Sequence, residues 1–135
     1  MKNDIMLISS DYNQQIKFWS NMDNKCKHII EYKESAITAI ELTQSKESLA
    51  FATTNSIKFL DLATMNPNPV LSLDAHNGVI NCILFDKDNQ NLLFTAGEDC
   101  TIKLNDKRTN KFVQEYNHNN YVNSIQFGYK VRIFK

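Results

Sequence analysis

Three short phrases recur in step along this chain, and that rhythm limits the folds open to it more than any other feature. Ile16-Lys17-Phe18-Trp19-Ser20 returns as Ile57-Lys58-Phe59-Leu60-Asp61 and again as Ile102-Lys103-Leu104-Asn105-Asp106, at spacings of 41 and 45 residues. A second phrase keeps the same beat: Ala36–Leu42, Val79–Phe85 and Tyr121–Phe127. A third falls between them: Met6–Ser10, Leu49–Thr53 and Leu92–Ala96. Repetition at a period of about 40 residues marks a stack of like units, each unable to bury its apolar face alone. The phrases are five to seven residues long and rich in Ile, Val, Phe and Thr, which predicts strands separated by short polar turns. No segment has a helical stripe with caps.

Three or four short antiparallel strands in about 40 residues is the period of a propeller blade, whose marker is a Trp-Asp dipeptide. The marker is degenerate here, reading Trp19-Ser20, Leu60-Asp61 and Asn105-Asp106. The register of the phrases therefore carries the reading: an all-β, incomplete WD40 β-propeller of about three blades plus the first strand of a fourth. The repeats occupy residues 1–127, with units near 5–31, 36–73, 79–116 and 121–127, and 128–135 is a tail that does not continue the pattern. Strands are expected near 5–10, 15–20, 26–31, 36–42, 48–53, 56–61, 69–73, 79–85, 91–96, 101–105 and 111–116. A stack with open ends leaves apolar faces in water, so the chain alone is expected to be marginal, oligomeric or aggregation-prone.

Composition narrows the function. The chain is 42% hydrophobic, enough for a core, and its 15 basic residues balance 15 acidic ones, which argues against a general binder of nucleic acid or anionic membrane. Three cysteines without a C-x-x-C point away from a disulfide framework or zinc knuckle and toward a reducing compartment. The start has no secretory-signal pattern, and no apolar run approaches the ~20 residues of a membrane span. A cytoplasmic location is expected.

Candidate chemistry gathers in the third unit. His76 precedes its first strand where WD40 repeats carry a Gly-His pair, Thr95 lies on its second strand, and Asp99 sits in the following turn. In WD40 repeats such residues join the Trp of the third strand in a buried hydrogen-bond chain, which must be fully paired to be stable. Asn105 replaces that Trp, so at most three members are expected. Trp19, with Ser9 and Asn13 at the matching positions, is the counterpart in the first unit. The alternative is a catalytic His–Asp–Thr set. Repeat position already explains each residue and no oxyanion-hole glycine follows, so no enzyme is expected.

Cys26 and His28 alternate on one strand and are expected on the same face, but no further metal ligands lie near. Asp86-Lys87-Asp88-Asn89-Gln90 opens like a calcium loop and then fails at the glycine and closing glutamate positions. With only three glycines, the chain has no phosphate-cradling motif, and neither metal nor cofactor is expected.

The third unit also carries a specific resemblance. Thr95-Ala96-Gly97-Glu98-Asp99-Cys100-Thr101, with Met65-Asn66-Pro67-Asn68-Pro69-Val70 and Asp74-Ala75-His76 before it, closely resembles the small WD-repeat, G-protein-beta-like subunit of target-of-rapamycin kinase complexes. The likeness extends over about residues 5–127 and reads as an N-terminal portion of such a subunit. It implies a non-catalytic scaffold that binds and supports the kinase domain in growth and nutrient signalling. The partners implied are that kinase and the other complex subunits, with no nucleic acid, no membrane insertion, and a place in the cytoplasm or peripheral to endomembranes. The alternatives are a truncated gene model or partial duplicate without independent activity, and a generic WD40 interaction module. Partner-facing residues cannot be carried over, because the motifs that match build blades.

Overall fold

The computed structural model describes residues 5–128, which form eleven strands in three antiparallel sheets. The first sheet runs β1 (Ile5–Ser10), β2 (Gln15–Ser20), β3 (Cys26–Glu31). The second runs β4 (Ala39–Leu42), β5 (Ser48–Ala52), β6 (Ser56–Asp61), β7 (Leu71–Asp74). The third runs β8 (Ile80–Phe85), β9 (Leu92–Gly97), β10 (Thr101–Asp106), β11 (Lys111–Asn117). Each is a meander in which every strand pairs with its neighbour in sequence, and the three Ile-Lys-(Phe/Leu) phrases become β2, β6 and β10. Among the described residues no helix is long and apolar enough to cross a membrane. The architecture is that of an incomplete WD40 propeller. The tail expected over 128–135 lies, apart from Gly128, outside the described residues.

Burial follows the pleat. In β2 the pattern alternates, with Ile16 and Phe18 buried on one face while Lys17 and Trp19 lie on the other. In β5 it does not: Leu49, Ala50, Phe51 and Ala52 are all buried, because this sheet is covered on both sides. Leu49 and Phe51 turn toward the first sheet and join Ile16, Phe18, Ile30, Tyr32 and Leu60. Ala50 and Ala52 turn the other way and join Ile57, Phe59, Leu73, Ile80, Ile83, Phe85 and Leu93. Two aromatic contacts mark these layers, Tyr32 edge-on to Phe51 at 5.2 Å and Phe59 tilted against Phe85 at 6.4 Å. The inner strands β4 and β8 touch from sheet to sheet, whereas the outermost strand β11 is exposed along its whole length.

The degenerate marker dipeptide has a local cause. Its second residue, Ser20, Asp61 or Asp106, accepts the N–H two positions on, from Met22 at 3.0 Å, Ala63 at 3.0 Å and Arg108 at 2.9 Å. This is the Asx- or Ser-type turn that short polar side chains favour. Two residues after that donor, Asn24, Met65 and Asn110 all adopt left-handed backbone, at φ 57°, 52° and 55°. Asn tolerates this region and Met does so at a cost. A marker therefore survives wherever the turn needs a side-chain acceptor, even when its aromatic partner is replaced.

A second recurring device joins the sheets. The backbone carbonyl in each hairpin between the marker strand and the strand before it receives the chain leaving that sheet. Tyr32 donates to Gln14 at 2.8 Å, Ala75 and His76 to Asn55 at 3.1 Å, and His118 to Cys100 at 2.8 Å. Next, Ile80 donates to Thr54 at 3.0 Å and Val122 to Gly97 at 3.1 Å. The segment after the third sheet thus leaves as its predecessor does, and Phe127 rests edge-on to Phe94 at 5.7 Å.

Three expectations are corrected. Residues 121–127 are not a strand, because among the described residues they have no ladder partner and packing alone does not make one. Residues 36–38 also precede the strand rather than begin it, although Thr38 donates to Ala52 at 2.9 Å. Cys26 and His28 do not share a face. A register shift sets Cys26 opposite Trp19 and His28 opposite Phe18, and the His28 ring lies 5.9 Å from that of Phe18. The calcium-like run is a hairpin turn in which Asp86 accepts the N–H groups of Asp88 and Asn89.

Phe59→Ala is expected to lower unfolding stability by about 3–5 kcal/mol, since it empties the layer between the second and third sheets. Ile29→Ala, at a side chain 48% exposed, should change it by no more than about 0.5–1 kcal/mol. Urea melts of the two variants test the contrast.

Candidate functional site: a buried polar joint

The third unit brings four elements to one buried point. His76 arrives on the link from the second sheet, Thr95 from β9, Asp99 from the β9–β10 turn, and Thr101 and Asn105 from β10. The His76 side chain is fully buried. Its Nδ1 lies 2.9 Å from both carboxylate oxygens of Asp99, and its Nε2 lies 2.7 Å from Thr95 Oγ1. Asn105 Nδ2 donates to the same Thr95 oxygen at 2.9 Å. The pairing pattern assigns the proton on the ring to Nδ1, which donates to Asp99, leaving Nε2 to accept from Thr95. Every donor then meets an acceptor, running from Asn105 through Thr95 and His76 to Asp99.

Asp99 collects the rest of the donors. Thr101 Oγ1 donates to Asp99 Oδ1 at 2.7 Å, the Thr101 N–H reaches it at 3.2 Å, and the Asn77 N–H reaches Oδ2 at 3.2 Å. Burial works to raise the Asp99 pKa, but the hydrogen bonds from His76, Thr101 and Asn77 prevail and hold it at about 2. Among the described residues, no buried side-chain nitrogen or oxygen lacks a partner.

Backbone approach makes room for this joint. A Cβ on Gly97 would stand 2.8 Å from the Val79 carbonyl and 3.3 Å from His76 Nδ1, and one on Gly78 would stand 3.0 Å from the Asp99 nitrogen. Both glycines are needed for contact distance rather than for unusual φ.

Two sequence expectations are corrected here. Asn105 does not shorten the chain to three members; its amide replaces the missing indole N–H as donor to Thr95. Thr101 went unnoticed in the sequence, although its place two residues after Asp99 is the spacing of a side-chain turn. In the first unit, Trp19 Nε1 donates to Ser9 Oγ at 2.9 Å. Asn13 does not join them. It is exposed, and Asp11 instead accepts the N–H of Gln15 at 3.1 Å, which closes the turn without it.

The catalytic reading has a geometric difficulty. Thr95 is fully buried and its oxygen already lies between His76 and Asn105, so a substrate carbonyl has no approach to it. The Asn-Pro-Asn-Pro link lies elsewhere, its Pro67, Asn68 and Pro69 lining an open groove of about 590 Å³ with Tyr32 and Lys58.

Comparison with known proteins places these features. Residues 67–106, from the proline link through the marker strand β10, match the family model "WD domain, G-beta repeat". The chain is 34% identical over 121 residues to the "Target of rapamycin complex subunit LST8" of Saccharomyces cerevisiae, covering 90% of this chain and 40% of the yeast protein. The Bos taurus protein of that name is 30% identical over 105 residues, 78% of this chain and 32% of its own length. The Arabidopsis thaliana "Target of rapamycin complex subunit LST8-1" is 28% identical over 121 residues, 90% of this chain and 39% of its own. The chain thus spans 40% or less of the length of these relatives.

Thr95→Val should cost about 1–3 kcal/mol, because it leaves His76 Nε2 buried without a partner and takes from Asn105 Nδ2 its shortest acceptor. The pH dependence has a defined sign. With Asp99 held at about 2 when folded, against about 3.9 unfolded, its stabilisation is complete above about pH 4 and is lost as pH falls through about 2. Asp99→Asn should therefore be less stable at neutral pH and lose less between pH 4 and 2 than the parent, measured by urea midpoints. The chain carries a WD40 repeat and is homologous, over most of its length, to the LST8 subunits of target of rapamycin complexes.

Proposed function

We propose that this chain acts as a non-catalytic WD40 scaffold subunit of a target-of-rapamycin kinase complex, binding and supporting the kinase domain in growth and nutrient signalling. The observation that carries the reading is the likeness to yeast, mammalian and plant proteins bearing that subunit's name, sustained over 78–90% of the chain. Repeated sheets stacked on one another offer rigid edges and loops, a surface suited to holding partners rather than transforming them.

On this reading the residues 1–127 are the repeat region, and its buried polar groups serve structure. His76, Thr95, Asp99, Thr101 and Asn105 lock the third sheet to the link from the second, and the Ser9–Trp19 bond does similar work in the first. The protein works in the cytoplasm or at the periphery of endomembranes, as a member of a larger assembly. The enzyme reading has no observation in its favour.

The test is capture of the tagged chain from its own cells, followed by identification of what comes with it. A target-of-rapamycin-type kinase should be enriched above an untagged control, and the Thr95→Val chain should retain less of it in proportion to its lost stability. Recovery of well-folded chain with no such kinase would overturn the proposal.

A further inference from the structure

The turn that delivers His76 contains a bond with chemistry of its own. Of 17 asparagines in the chain, only Asn77 is followed by glycine. Asn77 is exposed, and among the described residues neither its side-chain amide nor the Gly78 N–H has a hydrogen-bond partner. Glycine places no Cβ between the backbone nitrogen and the neighbouring side chain, so that nitrogen can reach the Asn77 amide carbon.

We propose that Asn77–Gly78 is a self-modification site, at which the folded chain converts an amide to an acid and so loosens the polar joint beside it. The Gly78 nitrogen gives up its proton to solvent base and bonds to the Asn77 side-chain carbon. The carbon–nitrogen bond to the amide breaks, and ammonia leaves with the proton it needs. The resulting five-membered imide then takes up one water at either carbonyl. Opening at one gives aspartate at position 77; opening at the other gives isoaspartate, in which the main chain runs through the former side chain. No oxidant or reductant enters.

The place of this turn gives the conversion a consequence. The Asn77 N–H donates to Asp99 Oδ2 at 3.2 Å, so a new carboxylate forms next to one that the joint holds ionised. Like charges at that range oppose each other. Isoaspartate also adds a methylene to the main chain just before Gly78, a residue packed so closely that a Cβ on it would stand 3.0 Å from the Asp99 nitrogen. Both products therefore strain the link between the second and third sheets.

The experiment is ageing of the whole folded chain at mildly alkaline and mildly acidic pH, followed by digestion and mass-resolved peptide mapping. The peptide holding Asn77 should gain the mass of an amide-to-acid exchange and split into two isomers. It should do so at least about ten times faster than the peptides holding Asn55–Ser56 and Asn123–Ser124, where a side chain follows. Conversion should be faster at the alkaline pH, and the aged chain should melt at a lower temperature. Asn77→Gln, which keeps an amide but disfavours the ring closure, should fold normally and hold its melting temperature through the same ageing. Conversion at Asn77 no faster than at Asn55 or Asn123, or conversion only in denaturant, would overturn the proposal.

Discussion

A small sheet that is apolar on both faces cannot stand by itself in water, and the second sheet of this protein is such a sheet. Four successive residues of β5 are buried, two toward each neighbour, so the sheet exists because the first and third cover it. That requirement sets the period of the sequence. Each unit must supply enough strands to make one sheet and one link long enough to reach the next, and the chain repeats this in 41 and then 45 residues. Burial of one large apolar side chain is worth about 1.5–3 kcal/mol, so the two layers supply the favourable energy against which chain entropy is set. The polar devices do a different job. The marker turns and hairpin carbonyls fix where each strand starts, and the His76 joint fixes how the third sheet meets the link from the second.

Much of this was legible in the sequence, for physical reasons. Short runs rich in Ile, Val, Phe and Thr, such as Ile16–Ser20 and Leu49–Thr53, read as strands between polar turns. Repetition then added what propensity alone could not, because a weak strand such as Leu71–Asp74 is placed by its counterparts. What was not legible depended on partners distant in sequence. Residues 121–127 have strand composition, yet a strand is a property of a pair, and composition cannot reveal whether a ladder partner is there. The faces of Cys26 and His28 could not be read by counting, because a bulge at Phe18/Trp19 resets the alternation.

The buried joint shows the same division. His76, Thr95 and Asp99 stand where WD40 repeats carry such residues, but Asn105 looked like a lost member. A Trp contributes one N–H to such a chain, and an Asn amide can contribute the same donor from a smaller frame, which the sequence comparison by residue type hides. The first unit makes the converse point. Asn13 occupies the position equivalent to Asp99, but Asp11 already closes the turn and Asn13 stays exposed.

The account turns on sheets laid face to face in sequence order, and nuclear Overhauser contacts between aromatic rings report that arrangement most directly. It predicts cross-peaks between Phe59 and Phe85, in adjacent sheets with centroids 6.4 Å apart, and between Tyr32, just past the end of β3, and Phe51 of the second sheet, 5.2 Å apart. Well-resolved spectra in which each of these rings contacts only residues of its own sheet would contradict it.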